Sequence, residues 1–341
     1  PIAAALDGGE KQEQYLANLK SLAELGFMGL NVDADSGGCG ADTVSFSLTV
    51  TEFARECAAT AVTVSVNNMV AEIIQAVGSD AQRARYLPAI CSGEFSAGAF
   101  CLSEPGAGSD PASMKTRAVR DGDDWVINGT KAWITSAPYA GVFVVWAVTD
   151  PDKPKGKGIS CFLLPATTPG ITIASPEHKM GQTGSATCSV HFDECRVPED
   201  AILGEMNNGF RIAVAELAGG RIGVGSLALG LGLAALDYAR NYIAQREQFG
   251  QKLSAFQGLQ WKMAEAYTDL EAARLLIMQA AYQKDMGLSF GTAASMAKLF
   301  ASEKAIQACY TAQQMMGGMG YTKDCPVERM VRDVRITSIY E

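Results

Sequence analysis

The stretch that decides the architecture is Trp125-Val126-Ile127-Asn128-Gly129-Thr130-Lys131-Ala132-Trp133-Ile134. Strand-forming residues lie on both sides of Asn128-Gly129, and Asn-Gly between such runs predicts a β-hairpin turning there. Residues 142–148, 159–164 and 189–192 form three more strand-like runs. Gly and Pro punctuate them at the spacing of a sandwich or barrel. No long helical period interrupts residues 95–198, which argues against a doubly wound sheet.

Outward from this block the period becomes helical. Tyr15, Leu19, Leu22 and Leu25 recur every three to four residues, Gly26 offers a stop, and Gly37-Gly38-Cys39-Gly40 reads as a loop. A longer helix is expected from Thr43 past Phe53 to Ile74, then a short one from Ala81 to Leu87 closed by Pro88. Beyond Asn208, helices are expected from Phe210 to about Gln248, Phe256 to Met286 and Thr292 to Met315. The fold class is therefore α+β: an N-terminal helical domain (1–95), a central antiparallel β-sandwich or barrel (96–205) and a C-terminal helical bundle (206–341).

The chain has 341 residues, 48% of them apolar, enough for a large core. The formal charge of −9 argues against a general nucleic-acid binder. No run approaches the ~20 unbroken apolar residues of a membrane span. Nine scattered cysteines with no C-x-x-C pair read as reduced thiols of a bacterial cytoplasm or a mitochondrial matrix. His178 and His191 are too few for a histidine-rich metal site, and no metal is expected. Pro1-Ile2-Ala3-Ala4-Ala5 has no basic leader, so no secretory signal is expected, and both ends read as interior points of a longer polypeptide.

Gly230-Leu231-Gly232-Leu233-Ala234-Ala235 matches a dinucleotide fingerprint, but such a fingerprint must follow a strand and open a helix. These glycines sit mid-helix. With Gly223 and Gly225, they are expected to let neighbouring helices approach closely, each costing about 1 kcal/mol of helix propensity relative to Ala.

Three segments carry polar chemistry. Phe100-Cys101-Leu102-Ser103-Glu104-Pro105-Gly106-Ala107-Gly108-Ser109-Asp110 joins a strand to a glycine-rich loop whose hydroxyls and free amides can donate to ring carbonyls or phosphate oxygens. Read by itself, Glu104-Pro105-Gly106 is turn chemistry. Gln245-Arg246-Glu247-Gln248-Phe249-Gly250, followed by Phe256-Gln257, offers an arginine fork suited to phosphate. Gln314-Met315-Met316-Gly317-Gly318-Met319-Gly320-Tyr321 ends a helix in bare main chain, either a simple cap or a phosphate approach.

Together with Trp133-Ile134-Thr135 and the terminal run Arg329-Met330-Val331-Arg332-Asp333-Val334-Arg335 leading to Ile339-Tyr340-Glu341, these segments resemble the acyl-CoA dehydrogenase family. The wording of Ser65-Val66-Asn67-Asn68 and Gly220-Arg221-Ile222-Gly223 is most similar to its short-chain members. The resemblance implies FAD as cofactor and oxidation of an acyl-CoA thioester to the trans-2-enoyl-CoA. It implies that Phe100, Leu102, Ser103, Gly108, Ser109, Trp133, Ile134 and Thr135 meet the flavin, with Ser109 also bonding the CoA part. Arg246, Phe249, Gln257, Gln314, Met315, Gly317 and Gly318 would serve the FAD of an adjacent subunit, which implies an oligomer, in this family usually a tetramer. Gly220 and Arg221 would lie at the substrate. Glu341 would be the general base, its carboxyl desolvated toward working pH. An electron-transferring flavoprotein is the implied acceptor, docking near Trp133.

Some departures bear on these expectations. Family members that place the base elsewhere use the position of Gly220, which cannot act; Glu216 is one turn earlier, about 5 Å away along the helix. An Asp that often bonds CoA is Ala218 here, Asp33-Ala34-Asp35-Ser36 replaces the usual Pro-Glu-x-Tyr, and Ser136 replaces Asn after Trp133-Ile134-Thr135. Two alternatives stay open at this point: a flavin oxidase or desulfinase of the same fold, and a CoA- or flavin-binding scaffold without turnover.

Overall fold

A computed structural model describes residues 2–341. Among these residues, helices α1 (Ile2–Asp7), α2 (Gln12–Glu24), α3 (Thr43–Glu56), α4 (Ala58–Val77) and α5 (Asp80–Cys91) come first. Strands β1 (Ala97–Cys101), β2 (Arg117–Asp121), β3 (Asp124–Thr135), β4 (Ala140–Val148), β5 (Ile159–Pro165), β6 (Ile171–Ile173) and β7 (Thr187–Pro198) form one sheet. Helices α6 (Gly209–Ile243), α7 (Gln257–Asp285), α8 (Gly291–Met316) and α9 (Pro326–Val334) complete the chain. The α+β class expected from the periodicity is the observed one.

Side-chain caps account for two of the helix starts. Asp42 caps α3 by accepting from the Ser45 N–H, and Ser79 with Gln82 forms a reciprocal capping box on α5. Two helical expectations need correction. Pro88 does not close α5, which runs on to Cys91; it removes one intrahelical hydrogen bond, while Ala89, Ile90 and Cys91 are buried and hold the last turn in the core. The expected helix from Thr43 to Ile74 is two helices, broken at the extended residue Cys57. No glycine or proline marks that break.

The expected Asn128-Gly129 hairpin is also overturned. The β2–β3 turn is Gly122-Asp123, one residue beyond the Asp121–Asp124 pair, with Gly122 at φ 67°. Asn128 and Gly129 lie inside β3 at a bulge against β7. The Asn128 amide donates to the Glu194 carboxylate at 2.9 Å, and its carbonyl oxygen accepts the Glu194 N–H at 2.8 Å. A Cβ at Gly129 would sit 2.4 Å from Thr116 Oγ1, so glycine serves close packing there rather than a turn.

The sheet order is β1-β4-β2-β3-β7-β6, with β5 also on β4. The pairings are mostly antiparallel, but β1 and β2 both run parallel to β4. β4 is buried on both faces, which explains its unbroken apolar run. Val142, Val144 and Trp146 pack with Val70, Ile74 and Leu87 of the helices. Phe143, Val145 and Ala147 pack inside the sheet layer with Phe162, Leu164 and Val190. Buried Asn67 stitches helix to sheet: its amide donates to the Met28 carbonyl at 2.7 Å and its oxygen accepts the Gly98 N–H at 2.8 Å.

The helix α6 passes through the largest core, and its apolar window is 78% buried. The expected role of its glycines is visible. A Cβ at Gly223 would meet Ser65 Oγ at 2.5 Å, at Gly230 the Thr51 carbonyl at 2.2 Å, and at Gly232 Leu270 Cδ2 at 3.0 Å. Gly230→Ala is therefore expected to lower stability by about 1–3 kcal/mol through overpacking, despite alanine's ~1 kcal/mol advantage in helix propensity. Denaturant unfolding measures it, and an unchanged or higher midpoint would contradict the close-packing account.

Candidate active site

The C-terminal segment is tied down before it reaches Glu341. The Arg332 guanidinium donates to Asp7 in α1 at 2.6 and 2.8 Å and to Glu328 one turn back. Asp333 accepts the Gln182 N–H from the loop before β7. A 3-10 turn over Arg335–Ser338 then delivers Glu341 onto α6.

There the Glu341 carboxyl lies directly over Gly220. A Cβ at 220 would be 2.8 Å from Glu341 Oε2 and 2.9 Å from Met69 Cε, so any side chain would displace the acid. Glu341 Oε2 is buried without a hydrogen-bond partner. Arg221 Nε donates to the Glu341 main-chain oxygen at 3.3 Å, and its Nη1 donates to Ser295 Oγ at 3.0 Å. Burial pushes the Glu341 carboxyl up to about 7, with Arg221 and Lys298 pulling the other way. Gly220, Arg221 and Glu341 are thus brought together.

The second part of the site lies where β1 leaves the sheet. Phe100 packs on Trp146 with ring centroids 4.4 Å apart. The Ser103 carbonyl accepts the Ala132 N–H at 2.9 Å, joining the loop to β3. Glu104, read from the sequence as a turn residue, is buried and accepts from the Lys115 and Thr116 N–H groups at 2.6 and 3.0 Å. Lys131, with its side chain fully buried, donates to Glu104 at 2.9 Å and to the Leu102 carbonyl at 3.1 Å. Burial works to raise the Glu104 carboxyl, but Lys131 and the two main-chain donors outweigh it and hold it below the usual range. Sequence inspection missed this pair; a lysine in the apolar Trp125–Ile134 run was the only signal.

A second bulge in the β3–β7 register, between Lys131 and Ile134, turns Trp133 outward. Trp133 has φ 64° and is 62% exposed. A non-glycine residue held at positive φ costs about 1–3 kcal/mol, and here the strained backbone presents an indole face to solvent. Ile134 is corrected: its side chain points into the core, leaving only main chain for a ligand. Thr135 is half-buried, Ser103 partly exposed and Ser109 exposed, while Gly106 and Gly108 face open space.

The remaining candidates lie on the helical bundle. Arg246, Gln257 and Gln314 are exposed, and Phe249 is 93% exposed at φ 55°. Gly317 and Gly318 face open space. Met315 is corrected like Ile134: its side chain is packed in the core. His178 and His191 are both exposed. An outward indole, nearby hydroxyls and bare main chain at several glycines fit a flat ring with a phosphate-bearing tail.

Three family models match in series: the acyl-CoA dehydrogenase N-terminal domain over residues 1–94, the middle domain over 99–195 and the C-terminal domain over 207–341. The chain belongs to the acyl-CoA dehydrogenase family. It is 45% identical to the mitochondrial short-chain specific acyl-CoA dehydrogenase of Bos taurus, over all of this chain and 82% of that one. The butyryl-CoA dehydrogenase of Megasphaera elsdenii superposes with a TM-score of 0.92 at 39% identity, covering 94% of this chain and 85% of that one. A glutaryl-CoA dehydrogenase of Mycobacterium smegmatis in complex with FADH2 superposes with a TM-score of 0.90 at 31% identity, covering 95% and 82%. This acyl-CoA dehydrogenase is an oxidoreductase and its cofactor is FAD.

Removing Lys131 would leave the Glu104 carboxylate buried without its ammonium. Lys131→Met is expected to cost about 3–5 kcal/mol of stability, read by thermal or denaturant unfolding of the holoenzyme. Glu104's own contribution is present above the usual carboxylate pKa of about 4.3 and lost as pH falls through its lowered value. A loss below about 1 kcal/mol would show that the two main-chain donors hold Glu104 unaided.

Proposed function

We propose that this enzyme oxidises short acyl-CoA thioesters between Cα and Cβ, with Glu341 removing the α-proton. The observation that carries the proposal is the Glu341 carboxyl itself: buried, unpartnered at Oε2, seated on Gly220 and raised to about 7. A weakly acidic α-proton needs a base that is desolvated and poised near working pH. The Glu341 main-chain N–H would donate to the thioester oxygen and stabilise the developing enolate charge. Arg221 holds the Glu341 main chain in place through its bond to the carbonyl oxygen.

Bound FAD supplies the oxidant that accepts the β-hydride. Ser103, Trp133 and Thr135, with the Leu102 and Ile134 main chain, would hold its ring, and Ser109 would bond the CoA moiety. Arg246, Phe249, Gln257 and the main chain from Gln314 to Gly318 would meet the FAD of a neighbouring subunit in a homotetramer. Their exposure supports this assignment, since an aromatic side chain 93% exposed at Phe249 has its natural partner on another chain.

The preference for short acyl groups is supported by the cleft beside Gly220. It is lined by Phe46, Asn68, Met69, Glu72, Gly219 and Lys284 among others, with a free interior of about 10 Å³, room for about one water. Electrons would pass to an electron-transferring flavoprotein docking near Trp133, within fatty acid metabolism in a bacterial cytoplasm or a mitochondrial matrix.

Two measurements test the base. The kcat/KM for butyryl-CoA should rise with pH through about 7, because Glu341 acts only after losing its proton. A profile flat across that value would remove Glu341 from the proton transfer. Glu341→Gln should retain bound FAD yet lose about 10²–10⁴-fold in the rate of flavin bleaching by butyryl-CoA; a loss under tenfold would place the base elsewhere.

A further inference from the structure

The cleft beside the Glu341 carboxyl ends in charged groups rather than in hydrocarbon. One residue beyond Gly220, a Cβ at Gly219 would lie 3.3 Å from Lys284 Nζ and 4.0 Å from both Glu216 Oε1 and Glu72 Oε2. Three helices contribute: Glu72 from α4, Glu216 from α6 and Lys284 from α7. Lys284 donates to Glu72 at 2.7 Å. Glu216 Oε1 is buried and has no hydrogen-bond partner.

We infer that the enzyme's preferred substrate is an acyl-CoA whose short chain carries a neutral oxygen function, a hydroxyl or a carbonyl, near its distal end. This deepens the function proposed above and rests on it. An alkyl terminus pushed into this cleft would desolvate Glu216 and the free donors of Lys284 with nothing to replace water, at about 1–3 kcal/mol for each unsatisfied group. A hydroxyl can both donate to Glu216 and accept from Lys284.

The balance of charge selects a neutral group. Burial, with the nearby charges of Glu72 and Glu341, holds the Glu216 proton well above the usual carboxylate range, while Lys284 opposes the shift. Glu72 and Lys284 then cancel. A carboxylate terminus would meet the charge of Glu72, and an ammonium terminus that of Lys284. Adjacent Cα atoms are about 3.8 Å apart, so the step from Gly220 to Gly219 corresponds to about three carbon–carbon bonds beyond the carbon under Glu341. That places the oxygen at the fifth carbon or just beyond it.

The test compares kcat/KM of the FAD-loaded enzyme for butyryl-, hexanoyl-, 5-hydroxypentanoyl-, glutaryl- and 5-aminopentanoyl-CoA, with an artificial electron acceptor. Hexanoyl and 5-hydroxypentanoyl differ only in exchanging a terminal methyl for a hydroxyl. The hydroxylated substrate is expected to lead hexanoyl by at least about tenfold, since a site built to hydrogen-bond rejects the analogue lacking the group. Glu216→Leu should abolish most of that ratio, and Glu216→Gln, which keeps the shape and the hydrogen-bonding capacity, should retain it. Equal or better turnover of hexanoyl-CoA overturns the inference, as does a lead for glutaryl- or 5-aminopentanoyl-CoA or an unchanged ratio in a folded Glu216→Leu enzyme. If none of the five, butyryl-CoA included, reduces the flavin, the underlying assignment of acyl-CoA oxidation fails instead.

Discussion

Close approach of main chain along α6 is the constraint on which the rest of the structure depends. One side of the helix receives α3 at Gly230 and α4 at Gly223, and the opposite side the α7–α8 pair at Gly232, each too close for an unstrained Cβ. One end abuts β5, where a Cβ at Gly209 would lie 2.5 Å from the Ser160 carbonyl carbon. Between them, Gly219 and Gly220 leave open the space beneath Glu341 and the Glu72–Lys284 pair. Glycine in a helix interior is unfavourable by about 1 kcal/mol each relative to alanine. The density of the packed core offsets that cost, and the same absence of side chains makes the cleft.

Around this spine, charge is buried in two different ways. Glu104 and Lys131 are mutually satisfied, with further bonds to the Lys115, Thr116 and Leu102 main chain, so the pair locks the loop after β1 to β3. Its role is geometric: it sets the spacing between Ser103 and the bulge that turns Trp133 outward. Glu341 and Glu216 are the opposite case, each with an oxygen left unpartnered. Buried polar atoms without partners are rare in folded proteins. Two of them flank Gly219 and Gly220.

Much of this was legible beforehand, for identifiable reasons. The α–β–α order followed from a change of hydrophobic period, which depends on local geometry alone. The likeness of Phe100–Asp110 and Trp133–Thr135 to a known family named the cofactor, because short contiguous segments can be recognised without knowledge of the fold. Asn128-Gly129 misled because Asn-Gly serves a bulge as well as a turn, and only the Asn128–Glu194 bonds and Thr116 behind Gly129 distinguish the two. Pro88 misled because burial of Ala89, Ile90 and Cys91 outweighs one missing hydrogen bond.

Sequence by itself determined the class of fold, the family and the cofactor, since periodicity and short contiguous segments carry that information. Tertiary structure alone decided which side chains of those segments are outward and which are buried: Trp133 outward, Ile134 and Met315 into the core. It alone brought Glu72, Glu216, Lys284 and Glu341 from four separate stretches to one cleft. The physical reason is that burial, and with it the proton affinity of a carboxylate, belongs to the neighbours a residue acquires on folding, which no local spacing encodes.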